Sequence, residues 1–270
     1  MKGLAYEGAA TGVIFGFLKE ISHLMDHFQT KYICFCWDYG KGLRESICSE
    51  YKADRKDRDM TEEDIAFEVE FHFQMEALRK QYLHKIGFRN VYYHYGYESD
   101  DLIASIVFNL PKGDSAIMVT ADQDMYQCLR PAPGQVSMFS PAKKEMMTFD
   151  KFTKEYGIVP VLWVYVKALA GCSSDNVKGI KGVGIKTAIK YLRGELKPTV
   201  KAFIHIKEQS KEMYKKNEPL VKLPYEGTPK YKLKKDKPNP EGWLEVMDIL
   251  GMKSLKEKSP WGRIRRKLEV

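Results

Sequence analysis

The chain has 270 residues, 44% of them hydrophobic and 30% charged, with a formal net charge of +8. That length holds one large domain or two small ones around packed cores, and the composition excludes a disordered chain. No apolar run reaches the roughly 18 residues of a membrane-spanning helix, and the opening MKGLAYEGAATGVIFGFLKEI carries no secretory signal.

In chain order, apolar residues at Val13, Ile14, Phe17, Leu18, Ile21, Leu24, Met25 and Phe28 predict a helix over Thr11 to Phe28. Tyr32 to Trp37 is a near-continuous apolar run ending in Asp38, the pattern of a buried strand. Thr61 to Lys85 reads as one or two charge-rich helices. Asn90 to Tyr95 reads as a second strand, and Ser99 to Asn109 as an amphipathic helix. Ser115 to Ala121 is a third strand, followed by a helical Asp122 to Leu129. Beyond Asp150 the pattern is helical, over Asp150 to Tyr156, Pro160 to Ala170 and Lys186 to Arg193, with a Gly-rich stretch before the last. The final 70 or so residues are Lys/Pro-rich and are left without assigned elements. Strands alternating with helices predict an α/β domain with a mainly parallel sheet. The cysteines Cys34, Cys36, Cys48, Cys128 and Cys172 form no C-x-x-C pair, which reads as reduced thiols in a cytoplasmic setting.

In open α/β sheets, sites lie outside the carboxyl ends of the strands. Asp38 closes the first strand; Glu98, Asp100 and Asp101 follow the second; Asp122 and Asp124 close the third. Each cluster alone could decorate a helix start, with Ser99 as N-cap and acids favoured by the helix dipole. Six carboxylates on one sheet edge cannot all stay ionised without cations. All-oxygen donors with no nearby His or Cys suit Mg²⁺ or Mn²⁺ rather than zinc. Paired hard cations clamp the attacking and leaving oxygens of a phosphodiester.

The run Gly179 to Ala188, GIKGVGIKTA, places small residues before a helix. Either it is an ordinary Gly-rich turn, or a helix–hairpin–helix that grips a DNA backbone without reading sequence. Tyr51-Lys52-Ala53-Asp54-Arg55 sets an aromatic beside two cations, which suits a strand end or a solvated helix face. Residues 197–270 carry 19 Lys+Arg against 10 Asp+Glu, either a polyanion-binding face or a solvated lysine-rich surface.

TGVIFGFL, FCWD, YKADR, GYESDDLIAS, TADQDMYQ and KALAGCSSDNVKGIKGVGIKTA, in this order, resemble the 5′ nuclease family. That family comprises the 5′-nuclease domain of bacterial DNA polymerase I, phage 5′-3′ exonucleases and flap endonucleases. The resemblance spans roughly Thr11 to Arg193, and LVKLPYEGTPKYKL is most like phage members. It implies a PIN-like α/β nuclease domain with a helical arch over residues 1–149. A helix–hairpin–helix (helix–three-turn–helix) DNA-binding region with a basic extension would occupy residues 150–270. It also implies divalent-metal hydrolysis of DNA in replication or repair, at 5′ ends, flaps or RNA primers, by a monomer away from membranes.

By position, Asp38, Glu98, Asp100 and Asp101 would hold a first Mg²⁺ or Mn²⁺ ion, and Asp122, Asp124 and Asp175 a second. Lys52 and Arg55 would steady the scissile phosphate, with Tyr51 as a stacking partner. Gly182, Gly184, Lys186 and Thr187 would hold the duplex backbone, with a K⁺ in the hairpin. Cys172 stands where bacterial and phage members usually have Asp. The apolar first strand ending in an Asp ligand has no counterpart in the ten residues before Thr11. The expectation is therefore reduced activity, or a missing piece supplied by another chain. The alternative reading is a catalytically impaired, structure-specific DNA-binding protein or one part of a split nuclease.

Overall fold

The computed structural model describes residues 5–6, 8–53, 61–257 and 260–261. A short antiparallel pair, β1 (Ala5–Tyr6) and β2 (Ala9–Ala10), precedes helix α1 (Gly12–Phe28). β3 (Phe35–Trp37) leads to α2 (Leu43–Ile47) and α3 (Glu62–Ala77). A π-helical turn, Leu78–Tyr82, then joins α3 to α4 (Leu83–Ile86). β4 (Val91–Tyr93), which pairs with β3, leads into α5 (Ser99–Phe108). β5 (Ala116–Val119), β6 (Val136–Ser140) and β7 (Glu145–Met147) form a three-stranded sheet, followed by α6 (Phe149–Tyr156) and α7 (Trp163–Ala170). The hairpin of β8 (Gly171–Cys172) and β9 (Val177–Lys178) leads to α8 (Ile185–Leu192). The chain then runs through α9 (Lys201–Val221), α10 (Pro240–Ile249) and α11 (Lys253–Glu257).

The periodicity placed its helices and strands within a few residues but left α2, β6, β7 and the β8–β9 hairpin unassigned, and three further differences stand out. Asp122 to Leu129 is a 3₁₀ segment, Gln123–Cys128, because the Asp122 carboxylate turns back to accept from the Asp124 N–H at 2.8 Å. The sheet is only partly parallel: β5 pairs parallel with β6, but β7 continues it antiparallel, a tight Pro-Ala-Lys-Lys reversal making that the shorter connection. The last 70 residues, unassigned from sequence, hold α9, α10 and α11.

The chain divides into two compact units. The first comprises Met1–Phe35, Asp59–Tyr92 and Lys232–Val270. Here α1 buries Ile14, Leu18, Ile21 and Met25 on one face, as the 3.6-residue spacing requires. Gln74 of α3 is buried, and its Oε1 accepts from the N–H groups of Val13 and Ile14 at 3.0 and 3.2 Å. It thereby satisfies two donors that a helix start leaves open. Gly242 of α10 lies so close to the Lys85 carbonyl that a side chain there would collide with backbone.

The second unit comprises Cys36–Arg58 and Tyr93–Tyr231. Met118, Val136 and Met138 of the sheet pack with Ala104 and Val107 of α5, Phe152 of α6, Trp163, Val166 and Leu169 of α7, and Ile206 of α9. Full burial of such side chains contributes about 1.5–3 kcal/mol each before conformational entropy is set against it. Tyr126, Phe152 and Trp163 meet edge to face, with ring centroids 5.4–5.6 Å apart. Between α7 and α9, the buried Asn217 amide donates to the carbonyls of Ala168 and Lys178, both at 2.9 Å. This packing fixes the ends of β5, α5 and α7, where the charged residues gather.

Candidate active site

Asp38, Glu98, Asp100, Asp122, Asp124 and Asp175 line one cavity of about 150 Å³, with Arg44 and Lys52 on its wall. Six carboxylates thus outnumber the cations in reach of them, Arg44, Lys52 and Lys167, which leaves a negative bowl. Asp38, just past β3, accepts from the Ser99 N–H at 2.7 Å and so ties its loop to the start of α5. Ser99 is not the N-cap of α5: Glu98 holds that position, and Asp101 reaches back to accept the Glu98 N–H at 3.2 Å. The reason lies in Arg44, which holds the Asp101 carboxylate in place.

Arg44 of α2 is 3% exposed and Asp101 1%. Two guanidinium nitrogens reach the two Asp101 oxygens at 2.7 and 2.8 Å, a bidentate pair. The same guanidinium donates to the Lys222 carbonyl at 2.9 Å, and Asp101 also accepts the Tyr225 N–H at 2.8 Å. Asp101 is therefore occupied by protein donors and does not line the cavity, in contrast to the ligand expectation for it. Arg44 was not singled out from sequence, because its partner lies 57 residues away.

Lys52 and Glu98 form an ion pair through Nζ and Oε1. Lys52 is held in the left-handed region at φ 55°, with its N–H on the Asp175 carbonyl at 3.0 Å. A non-glycine residue so held is over-determined by its surroundings, as at many functional positions. Tyr51 departs from its expected role. It is 4% exposed, packed with Val164, Ala168, Cys172, Leu220 and Val221, and its hydroxyl donates to Glu98 Oε2 at 3.2 Å. The ring lines the cavity beneath Lys52 Nζ, 5.0 Å from the ring centroid, and supports Lys52 and Glu98 rather than offering an exposed face. Arg55 lies outside the described residues.

Beyond β5, Asp124 pairs with Lys167 of α7 at 2.6 Å. Lys167 also donates to Cys172 Sγ at 3.4 Å, and Cys172 to Asp175 Oδ2 at 3.1 Å. Single donor atoms of Asp124, Cys172 and Asp175 lie within 4.8 Å of one another, so the expectation of an all-oxygen set with no Cys nearby fails here, because the β8–β9 hairpin brings Cys172 beside Asp175. Lys167 was missed as a site residue although KALAG marks its helix, since nothing local shows that it meets Asp124.

The electrostatics follow from this crowding. Burial first, then Asp122, Asp38 and Glu98, push the Asp100 carboxyl up from 3.8 to about 7. Burial, with Asp122 and Asp175, also raises Asp124, against the opposing pull of Lys167. For Lys167 burial works to neutralise the ammonium, but Asp124 and Cys172 outweigh it and hold the charge. A carboxyl whose charge is suppressed by its own neighbours is a group that a cation would satisfy, so the donors fit a hard divalent metal.

The hairpin expected to meet a phosphate backbone follows α7. Gly171 takes φ +75° at the helix end, and Gly179 packs against the backbone of Ala170 and Gly171 too closely for a side chain. Val183 and Ile180 anchor the turn in the core. Gly182 (φ +79°) and Gly184 face open space, Gly184 as N-cap of α8, with Lys186 exposed and Thr187 half-buried in its first turn. The hairpin residues thus sit together, separate from the carboxylates that line the cavity.

Residues 3–157 match the profile of the 5′-3′ exonuclease, N-terminal resolvase-like domain. A 5′-3′ exonuclease of Buchnera aphidicola subsp. Schizaphis graminum is 31% identical over 186 residues, 68% of this chain and 60% of the relative. One of Bacillus subtilis is 32% identical over 191 residues, 69% of this chain and again 60% of the relative. The chain thus matches less than two thirds of either relative's length. The fold is similar to that of a bacteriophage T5 flap endonuclease solved with DNA and metal ions, with a TM-score of 0.64 and 20% identity over 93% of this chain and 90% of the other.

Proposed function

The chain belongs to the family of the 5′-3′ exonuclease, N-terminal resolvase-like domain, and on that premise we propose that it is a divalent-metal-dependent 5′-3′ exonuclease or flap endonuclease of DNA. One observation carries the reading: six carboxylates line a single small cavity whose cations are too few to balance them. Asp38, Glu98 and Asp100 would hold one Mg²⁺ or Mn²⁺ ion, and Asp122, Asp124 and Asp175 a second. Asp101 is left out, since Arg44 and two backbone donors already take its oxygens. When bound, such ions polarise the phosphate and activate water for in-line attack.

The chain's own residues do the rest. Lys52, held by Glu98 and Asp175, places an ammonium at the cavity wall, where it would meet the scissile phosphate and stabilise the charge that develops on it. Arg55, three residues on, would add a second cation. Gly182 and Gly184 would let duplex backbone approach the start of α8, with Thr187 and Lys186 as donors and a K⁺ in the turn. The nuclease domain would occupy residues 1–149 and the duplex-binding region residues 150–270. Substrates would be DNA with 5′ ends, flaps or RNA primers, processed by a monomer in the cytoplasm during replication or repair. Among the described residues no helix is long and apolar enough to cross a membrane.

The test is cleavage of a 5′-labelled DNA flap. Cleavage should require Mg²⁺ or Mn²⁺, stop with chelator and fall to background in Asp122→Ala plus Asp124→Ala. Cutting that persists in that double variant would overturn the assignment.

A further inference from the structure

Cys172 ends β8 among charged groups. Its Sγ stands 3.1 Å from Asp175 Oδ2, 3.0 Å from Ser174 Oγ and 3.4 Å from Lys167 Nζ. Together with Asp124 and Asp175 it offers three donor atoms within 4.8 Å of one another, a spacing that one cation can bridge. Two of the donors are hard oxygens and the third is sulfur. Thiolates select softer metals, whereas carboxylates suit Mg²⁺ and Mn²⁺.

We propose that Cys172 sets the metal preference of the Asp124–Asp175 position, so that it takes thiophilic Cd²⁺, Zn²⁺ or Co²⁺ in preference to Mg²⁺. The inference rests on the metal reading above and specifies one of its two positions. On binding, the S–H bond breaks, the sulfur lone pair goes to the cation and the proton leaves to solvent. Lys167 is the chain's own cation at this point. Its ammonium balances Asp124, and it would have to yield Asp124 for a doubly charged ion to enter. Asp38, Glu98 and Asp100, an all-oxygen set, would keep the ordinary preference for hard ions. Cys172 lies behind the cavity lining, in reach of Asp124 and Asp175, so the two neighbouring positions would differ in the metals they prefer.

The test titrates Cd²⁺ into the metal-free full chain, following the ultraviolet thiolate-to-cadmium band and the heat of binding. The chain has five cysteines, so Cys172→Ser isolates the contribution of one thiol. The wild type should show one equivalent of band that Cys172→Ser and Cys172→Asp lack, with circular dichroism unchanged. In Cys172→Asp the ratio of Cd²⁺ to Mg²⁺ affinity should fall on the order of 10-fold or more, the scale of ligand-shell changes. Asp175→Asn keeps all five thiols and should weaken Cd²⁺ in parallel, which guards against a misfolded Cys172 variant. A band equal in wild type and Cys172→Ser, or an unchanged metal ratio in Cys172→Asp, would overturn the proposal. Flap cleavage in Mg²⁺ is read separately. Cleavage without a Cys172-dependent band defeats this inference alone, while the band without cleavage defeats only the nuclease reading.

Discussion

Within one run of four residues, Glu98, Asp100 and Asp101 have three different tasks. Asp101 is structural, locked by Arg44; breaking such a buried pair by removing one partner typically costs about 3–5 kcal/mol. Glu98 receives Lys52 and the Tyr51 hydroxyl. Asp100 has burial and three acids against it and titrates near 7. In the unfolded chain its carboxyl would ionise at its ordinary 3.8. Between those values the folded state binds more protons than the unfolded one, so stability falls as pH rises. Metal-free wild type should therefore lose stability from about pH 4 to pH 7 relative to Asp100→Asn, as read from denaturant midpoints in chelator. Added Mg²⁺ should stabilise the wild type more than the variant, which keeps only the Asp122, Asp124 and Asp175 position whole; parallel pH profiles would refute the assignment. The sequence could place all three acids on one sheet edge, because strand ends and helix starts are local patterns. It could not separate their tasks, because Arg44, Lys52 and Tyr51 reach them only through tertiary packing.

At the scale of elements, periodicity sufficed where an element buries a single face. The buried Ile14, Leu18, Ile21 and Met25 of α1 are the residues whose spacing predicted that helix. It failed for β6, every residue of which is buried, so VSMFS carries no alternation to read. The hairpin before α8 was legible for another reason: glycines are required where backbone approaches backbone or takes positive φ. Its glycines nevertheless differ in purpose. A side chain at Gly179 meets the backbone of Ala170, whereas one at Gly184, with φ −100°, meets nothing within 4 Å. Gly184→Ala should cost no more than the roughly 1 kcal/mol typical of a changed helix cap, yet lower affinity for duplex DNA several-fold. Gly179→Ala should unfold at markedly lower temperature. Thermal melts beside fluorescence anisotropy with a labelled duplex separate the two, and undiminished duplex affinity in Gly184→Ala would remove the hairpin from the DNA interface.

For the whole molecule, charge is divided by task. The cavity gathers carboxylates, while residues 197–270 carry 19 basic against 10 acidic side chains. In α9, Lys207, Lys211, Lys215 and Lys216 are all exposed. If that excess neutralises phosphates, the logarithm of duplex affinity should fall linearly with the logarithm of salt concentration, by about 0.9 for each phosphate engaged. Lys211→Ala with Lys215→Ala should make that slope shallower without altering metal affinity. A slope the same as wild type would leave these lysines as a solvated surface. The sequence showed the excess but not the helix that carries part of it, because the weak periodicity of the tail concealed the 21 residues of α9.

The cavity wall also bears on how such a chain can be inherited in pieces. The family profile ends at residue 157, but Asp175, Leu220, Val221 and Leu223 line the same cavity as Asp38 and Glu98. Gln127 fastens that later segment, donating to the Val221 carbonyl and accepting the Leu223 N–H. A recombination event joining two relatives at residue 157 would mix one parent's Asp124 with the other's Lys167 and Asp175. Parents whose pairings differ there would yield hybrids with mismatched charge in the cavity, so selection should pass on both sides of that junction together.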